Sequence, residues 1–122
     1  MSNPLELATG YIALWNETAP QRRRALLAEN WTADATYADP LIQRAGHAEI
    51  DALIAAVQAR FPGLRFALDG RVDGHGEHLR FSWTLGPEGG EPVVKGTDFA
   101  LTEGGRFKAV TGFLDQVPAE AA

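Results

Sequence analysis

At Pro62-Gly63 the apolar rhythm of this 122-residue chain changes from a period of 3.6 to a period of 2, and that change constrains the fold more than any other feature. Before it, residues 4–16 carry Leu7, Tyr11, Leu14 and Trp15 at spacings of three and four, which predicts a helix with an aromatic stripe toward the core. Thr18-Ala19-Pro20 supplies a cap and a first-turn proline for a short second helix. It buries Leu26 and Leu27 and ends near Asn30. Residues 36–39 read as a brief strand stopped by Pro40. Gly46 then precedes a third helix with Ile50, Leu53, Ile54, Val57 and Phe61 on one stripe. After Pro62-Gly63, strands are expected over residues 64–72, 77–85, 92–102 and 106–117. Their separators are Asp73-Gly74-His75-Gly76, Gly86-Pro87-Glu88-Gly89-Gly90 and Glu103-Gly104-Gly105, each short enough for an antiparallel hairpin. Helices first and a meander of strands afterwards define an α+β fold, with helices over one face of an antiparallel sheet and one domain spanning residues 1–122.

The pattern of the strands also bears on what covers the other face. Leu79, Phe81, Trp83 and Leu85 alternate cleanly with His78, Arg80, Ser82 and Thr84, so one face of that strand is core. In the last strand Phe107, Ala109, Thr111 and Phe113 alternate with Lys108, Val110, Gly112 and Leu114, and both sets carry apolar groups. Both faces are then expected to be covered, the second by another copy of the sheet in a two-fold homodimer.

Charge and composition narrow the function. Eleven Lys and Arg against sixteen Asp and Glu give a net charge of −5, and the only basic run, Arg22-Arg23-Arg24, reads as the solvated face of a helix. Nucleic acid is not an expected partner. With no cysteine, disulfides, thiolate metal sites and cysteine nucleophiles are excluded. His75 and His78 fall at a hairpin tip without a third convergent ligand, so no metal site is expected there, and His47 opens the third helix near the surface. No basic-then-apolar leader and no apolar run of about 20 residues is present, so a soluble cytoplasmic protein that does not span a membrane is expected.

Two aspartates carry the chemical interest. Asp39 ends Ala35-Thr36-Tyr37-Ala38-Asp39-Pro40, and Asp98 lies in Val93-Val94-Lys95-Gly96-Thr97-Asp98-Phe99-Ala100-Leu101. Alternation puts Asp98 on a face with Val94, Gly96 and Ala100, where a carboxyl should have a raised pKa. Structural readings stand beside the catalytic ones. Asp98 could simply be bonded to neighbouring groups, Asp39 could serve only its Asp-Pro turn, and Tyr11 could be packing material. Trp15, Trp31, Phe61, Phe66, Phe81 and Trp83 are expected to line a pocket or fill the core, and none needs a cofactor.

Several local motifs coincide with one family. Tyr11-Ile12-Ala13-Leu14-Trp15-Asn16, Trp31-Thr32-Ala33-Asp34-Ala35-Thr36-Tyr37-Ala38-Asp39-Pro40, Gly46-His47-Ala48-Glu49-Ile50, and Gly105-Arg106-Phe107 running to Gly112-Phe113-Leu114-Asp115 resemble SnoaL-like members of the nuclear transport factor 2-like superfamily. The resemblance implies a cone-shaped, strongly bent antiparallel sheet wrapped around N-terminal helices. It also implies an apolar pocket for a small hydrophobic molecule, and a homodimer. By spacing, the chain is similar to ketosteroid isomerases, which implies Asp39 as base, with Tyr11 and a neutral Asp98 donating to an oxyanion. Ile54 and Leu114 stand where that enzyme keeps supporting aromatic and hydroxyl groups. Polyketide cyclases of the same family use one pocket aspartate as acid or base. Limonene epoxide hydrolases use an Asp-Arg-Asp set, which Arg80, expected to point away, does not complete. The resulting expectation is an isomerase-like or cyclase-like enzyme acting on a small hydrophobic carbonyl compound, with Leu114 among its ligand contacts. The alternatives are a non-catalytic ligand-binding module and a dimeric assembly module.

Overall fold

The computed structural model describes residues 3–118. Its elements run α1 (Pro4–Asn16), α2 (Pro20–Asn30), β1 (Trp31–Ala38), β2 (Gln43–Ala45), α3 (His47–Arg60), β3 (Arg65–Leu68), β4 (Asp73–His75), β5 (His78–Gly86), β6 (Val94–Glu103) and β7 (Arg106–Gln116). The Asn3 side chain accepts from the Leu5 amide at 2.8 Å, capping α1 ahead of Pro4. Before α3, Gly46 adopts φ 84°, a left-handed conformation that lets the chain turn from β2 straight into the helix. Among the described residues, no helix is long and apolar enough to cross a membrane.

The strands form one curved sheet ordered β2-β1-β7-β6-β5-β3, with β4 also on β5. It is mixed rather than wholly antiparallel as expected, because β1 lies parallel to β7. A parallel pair needs a long crossover, and here the crossover is everything from β2 to β6. The first strand begins at Trp31 and not near residue 36, with a register irregularity between Trp31 and Thr36. β2 has no sequence signal, since its three residues are exposed or only half-buried. The expected strand over 64–72 is shorter, and its turn at Asp73 is itself a strand. β3 pairs with the second half of β5, β4 pairs with the first half, and the reversal falls at Gly76-Glu77.

A bulge resolves the ambiguous last strand. Leu101 pairs with Ala109 but Thr102 pairs with Phe107, leaving Lys108 as an extra residue. The inward phase therefore changes there, so Phe107 shares the concave face with Val110, Gly112 and Leu114. On the convex face Phe99 (45% exposed), Leu101 (37%) and Phe113 (52%) are open, with the Phe99 and Phe113 rings 5.8 Å apart.

The helices fill the concave side. Tyr11 packs its ring against Trp31 (5.9 Å), Phe81 (4.9 Å) and Phe107 (5.5 Å), so Trp31 and Phe81, expected as pocket or core lining, belong to the core and do not line the main cavity. Arg23, expected on a solvated face, is 5% exposed. Its guanidinium bonds Asp51 at 2.5 Å, and the Glu17 carbonyl and Gln58 Oε1 at 3.2 Å each. Gln58 in turn donates to the Trp15 and Glu17 carbonyls, so this cluster ties the C-terminal end of α1 to α2 and α3. Arg22 and Arg24 remain largely exposed, as a charge run normally does.

Candidate active site

Beside this core lies a partly open cavity of about 530 Å³. Its apolar walls come from α1 (Ile12, Trp15), α3 (Leu53, Val57) and the sheet (Phe66, Trp83, Leu85, Val94, Leu114), while Leu41, Arg60, Phe61, Val117 and Pro118 complete the lining. Its polar groups are Tyr11, Tyr37, Asp39 and Asp98, together with Arg60. Tyr11, Asp39, Asp98, Trp15, Phe61, Phe66, Trp83 and Leu114 thus come together at one cavity, whereas Trp31 and Phe81 stay behind it in the core. Ile54 is fully buried away from the lining.

Asp98 is 1% exposed and sits in the middle of β6, opposite Phe81 on one side and Gly112 on the other. Tyr11 donates its hydroxyl to Asp98 Oδ2 at 2.6 Å, and Trp83 Nε1 donates to Oδ1 at 3.1 Å. Burial pushes the carboxyl up to about 6, partly offset by those two donors and reinforced by the charge of Asp39. Tyr11 is driven well above the ordinary tyrosine range, first by burial and then by the Asp98 charge. The Tyr11 proton is therefore committed to Asp98 and is not free for a ligand.

Asp39 follows β1 and holds a second network. Its Oδ1 accepts from the Leu41 and Ile42 amides at 2.9 and 3.1 Å, closing the Asp-Pro turn. Oδ2 accepts from the Tyr37 hydroxyl at 2.9 Å. Burial, followed by the charges of Asp98 and Asp39, raises Tyr37 far beyond its usual range. Tyr37 escaped the sequence reading, although its two-residue spacing from Asp39 on an extended segment was the available signal. The two networks meet over Gly112, where a Cβ would lie 2.9 Å from Asp98 Oδ1, 3.5 Å from Asp39 Cβ and 3.6 Å from the Tyr37 oxygen. Among the described residues, no three His, Cys, Asp or Glu side chains are grouped to hold a metal. His75 and His78 face each other across the β4-β5 turn at 5.5 Å, remote from the cavity lining.

The helix-filled, curved sheet is the fold of the nuclear transport factor 2-like class, and here it holds a buried carboxyl with two donors against an apolar cavity. The SnoaL-like domain family matches residues 8–110, and the chain belongs to that family. A SnoaL-like protein from Agrobacterium tumefaciens str. C58 with a provisional isomerase designation is 44% identical over 94% of this chain and 99% of its own, with a TM-score of 0.88. More distant are a ketosteroid isomerase-like fold from Catenulispora acidiphila in complex with trimethylamine (20% identity, 90% and 85% covered, TM-score 0.73) and a provisional SnoaL-like polyketide cyclase from Jannaschia sp. CCS1 (17%, 94% and 90%, 0.70). These two share the fold. No curated protein matches the sequence.

Proposed function

We propose that the cavity binds a small hydrophobic carbonyl compound and that Asp98 moves a proton at the carbon beside the carbonyl, in isomerase-like or cyclase-like chemistry. The observation that carries this reading is a carboxyl raised to about 6, almost wholly buried, lining a largely apolar cavity. A general base is most effective when its pKa lies near the working pH, and Asp98 meets that condition. The roles implied by the ketosteroid isomerase resemblance are thereby redistributed. Asp98 takes the base role. Tyr11 and Trp83 hold it, and Asp39 fixes its turn and orients the Tyr37 hydroxyl. In the reaction Asp98 accepts the C–H proton and an enolate forms; the neutral carboxyl then gives the proton either to the γ carbon of a conjugated enolate, which moves the double bond, or to the alkoxide made when the enolate carbon attacks a second carbonyl and closes a ring.

Tyr11 and Tyr37 already donate to carboxylates, and among the described residues the one buried side-chain donor without a partner is Trp15 Nε1 in the cavity lining, so an enolate oxygen would meet a single buried free donor and not a pair. Substrates whose C–H is already acidic, such as 1,3-dicarbonyl compounds, need less of that stabilisation. Cyclase-like chemistry on a polyketide-like compound therefore fits better than isomerisation of a simple enone. Deuterium exchange at the acidic carbon of 2-acetyl-1-tetralone, followed by NMR, tests this. Exchange above the buffer rate should increase as pH rises through about 6 and fall roughly 10²- to 10⁴-fold in Asp98→Asn. Equal rates in the two proteins would remove Asp98 from the mechanism, and loss in Asp39→Asn alone would restore the base role to Asp39.

The open face carrying Phe99, Leu101 and Phe113 is proposed to pack on a second copy of the chain in a two-fold dimer.

A further inference from the structure

We infer that the cavity also binds alkylammonium ions, specifically quaternary ammonium groups carrying an apolar arm. This goes beyond the proton-transfer reading and does not depend on it. It rests on the charge and shape of the lining. The rings of Tyr37, Trp15, Phe66 and Trp83 form a continuous arc, with successive centroids 5.7, 5.6 and 5.3 Å apart. Each end of the arc is bonded to a carboxylate: Tyr37 donates to Asp39 and Trp83 donates to Asp98. Tyr11 closes the circuit, 6.1 Å from Trp15 and hydrogen-bonded to Asp98. Successive ring planes are inclined by 47°, 63° and 65°, so faces and edges alternate along the arc, and the attraction for a desolvated cation comes first from the two carboxylates, with the ring faces adding to it.

The degree of alkylation follows from the hydrogen bonds. Asp98 already accepts on both oxygens, and Asp39 accepts three times. These groups offer charge more than vacant acceptor sites. A primary ammonium would bring three donors into a cavity poor in free acceptors and would lose a strong hydration shell. A fully alkylated ammonium has no donors to satisfy and sheds water more readily. The 530 Å³ cavity is far larger than a bare tetramethylammonium needs, which leaves room for an apolar arm along Ile12, Val57 and Leu85. One lining cation opposes this. Arg60 is exposed, and its guanidinium lies 5.5 Å from the centre of the Phe61 ring, so solvent screens it more than it screens the buried carboxylate.

Phenyltrimethylammonium and tert-butylbenzene have nearly the same shape and differ in charge. Their dissociation constants, read from the fluorescence of Trp15 and Trp83 and checked by calorimetry, test the inference on the intact protein. At pH 8 both should bind. In Asp98→Asn the ammonium should weaken roughly tenfold or more while the hydrocarbon stays within about twofold. The same comparison in wild type between pH 8 and pH 5 needs no substitution. The titratable groups lining the cavity are Tyr11 from α1, Tyr37 and Asp39 from β1 and its turn, Asp98 from β6 and Arg60 from α3, and β7 brings the charge of Asp115 to bear on Asp98 from outside the lining. Across that range the tyrosines stay neutral, so protonating Asp98 should again weaken the ammonium selectively. Parallel responses of the two ligands would overturn the inference, as would hydrocarbon binding without ammonium binding. Either result leaves the carbonyl reading intact, since exchange of the neutral diketone is measured separately.

Discussion

Asp98 should make the protein less stable as pH rises from 4 to 7, the reverse of a salt-bridged carboxylate. The native carboxyl titrates near 6, against 3.8 when unfolded. Between those values the folded chain holds a proton that the unfolded chain has lost, so stability is greatest below the lower value and declines until the upper one is passed. Ionising Asp98 in place costs about 3 kcal/mol in full, and linkage assigns about 1.4 kcal/mol of that to the interval between pH 5 and pH 8. Asparagine at position 98 keeps the carbonyl for Tyr11 but turns an amide against the Trp83 N–H, so Asp98→Asn carries its own penalty of about 1–3 kcal/mol at every pH. That penalty cancels in the comparison that matters. Urea unfolding of both proteins at pH 5 and pH 8, followed by tryptophan fluorescence, should show wild type gaining about 1.4 kcal/mol more than the variant at the lower pH. A difference constant to within about 0.3 kcal/mol would mean that Tyr11 and Trp83 fully compensate burial, and the argument for Asp98 as a near-neutral base would fail.

Three further outcomes follow from the packing. A Cβ at Gly96 would overlap the Trp83 ring and approach the Phe113 carbonyl at 3.0 Å, so Gly96→Ala should destabilise the fold by about 1–3 kcal/mol. It should also shift the Trp83 indole N–H resonance; an unmoved resonance would show that Trp83 is not clamped as described. Arg23→Ala leaves Asp51 with only the longer 3.6 Å pair to exposed Arg24 and should cost about 3–5 kcal/mol by denaturant unfolding; a cost below 1 kcal/mol would mark the cluster as dispensable. Phe113→Glu places a charge at the centre of the open convex face, so analytical ultracentrifugation should find wild type dimeric and this variant monomeric. A monomeric wild type would end the dimer proposal.

The helices were legible because each carries its own signal: an aromatic stripe in α1, prolines at the start of α1 and α2, and Gly46 ahead of α3. Strands β5, β6 and β7 were legible through alternation, and that alternation correctly placed Asp98 on the inner face. What escaped depends on partners remote in sequence. Pairing of β1 with β7 spans the whole crossover and leaves no local trace. Arg23 reads as one charge among three, and only the third helix, 28 residues away at Asp51, distinguishes it from Arg22 and Arg24. Trp31 and Phe81 look identical to Trp15 and Trp83 as aromatic residues; which pair faces the cavity is decided by where Tyr11 lays its ring.

The bulge at Lys108 shows how such a remote detail reaches the chemistry. Strict alternation from Phe107 would send Ala109, Thr111 and Phe113 inward and turn Gly112 and Leu114 outward. One inserted residue reverses this while keeping Phe107 in the core against Tyr11 and Trp31. Gly112 then lies beside Asp98, and its missing side chain lets the carboxylate and the Tyr37 hydroxyl approach the same point. Phe113 in that position would fill the space between the two networks. The mixed polarity of the last strand, read from sequence as evidence for two covered faces, is in large part the signature of this phase change. Only the residues beyond it on the convex side, above all Phe113 with Phe99 and Leu101, still argue for a partner.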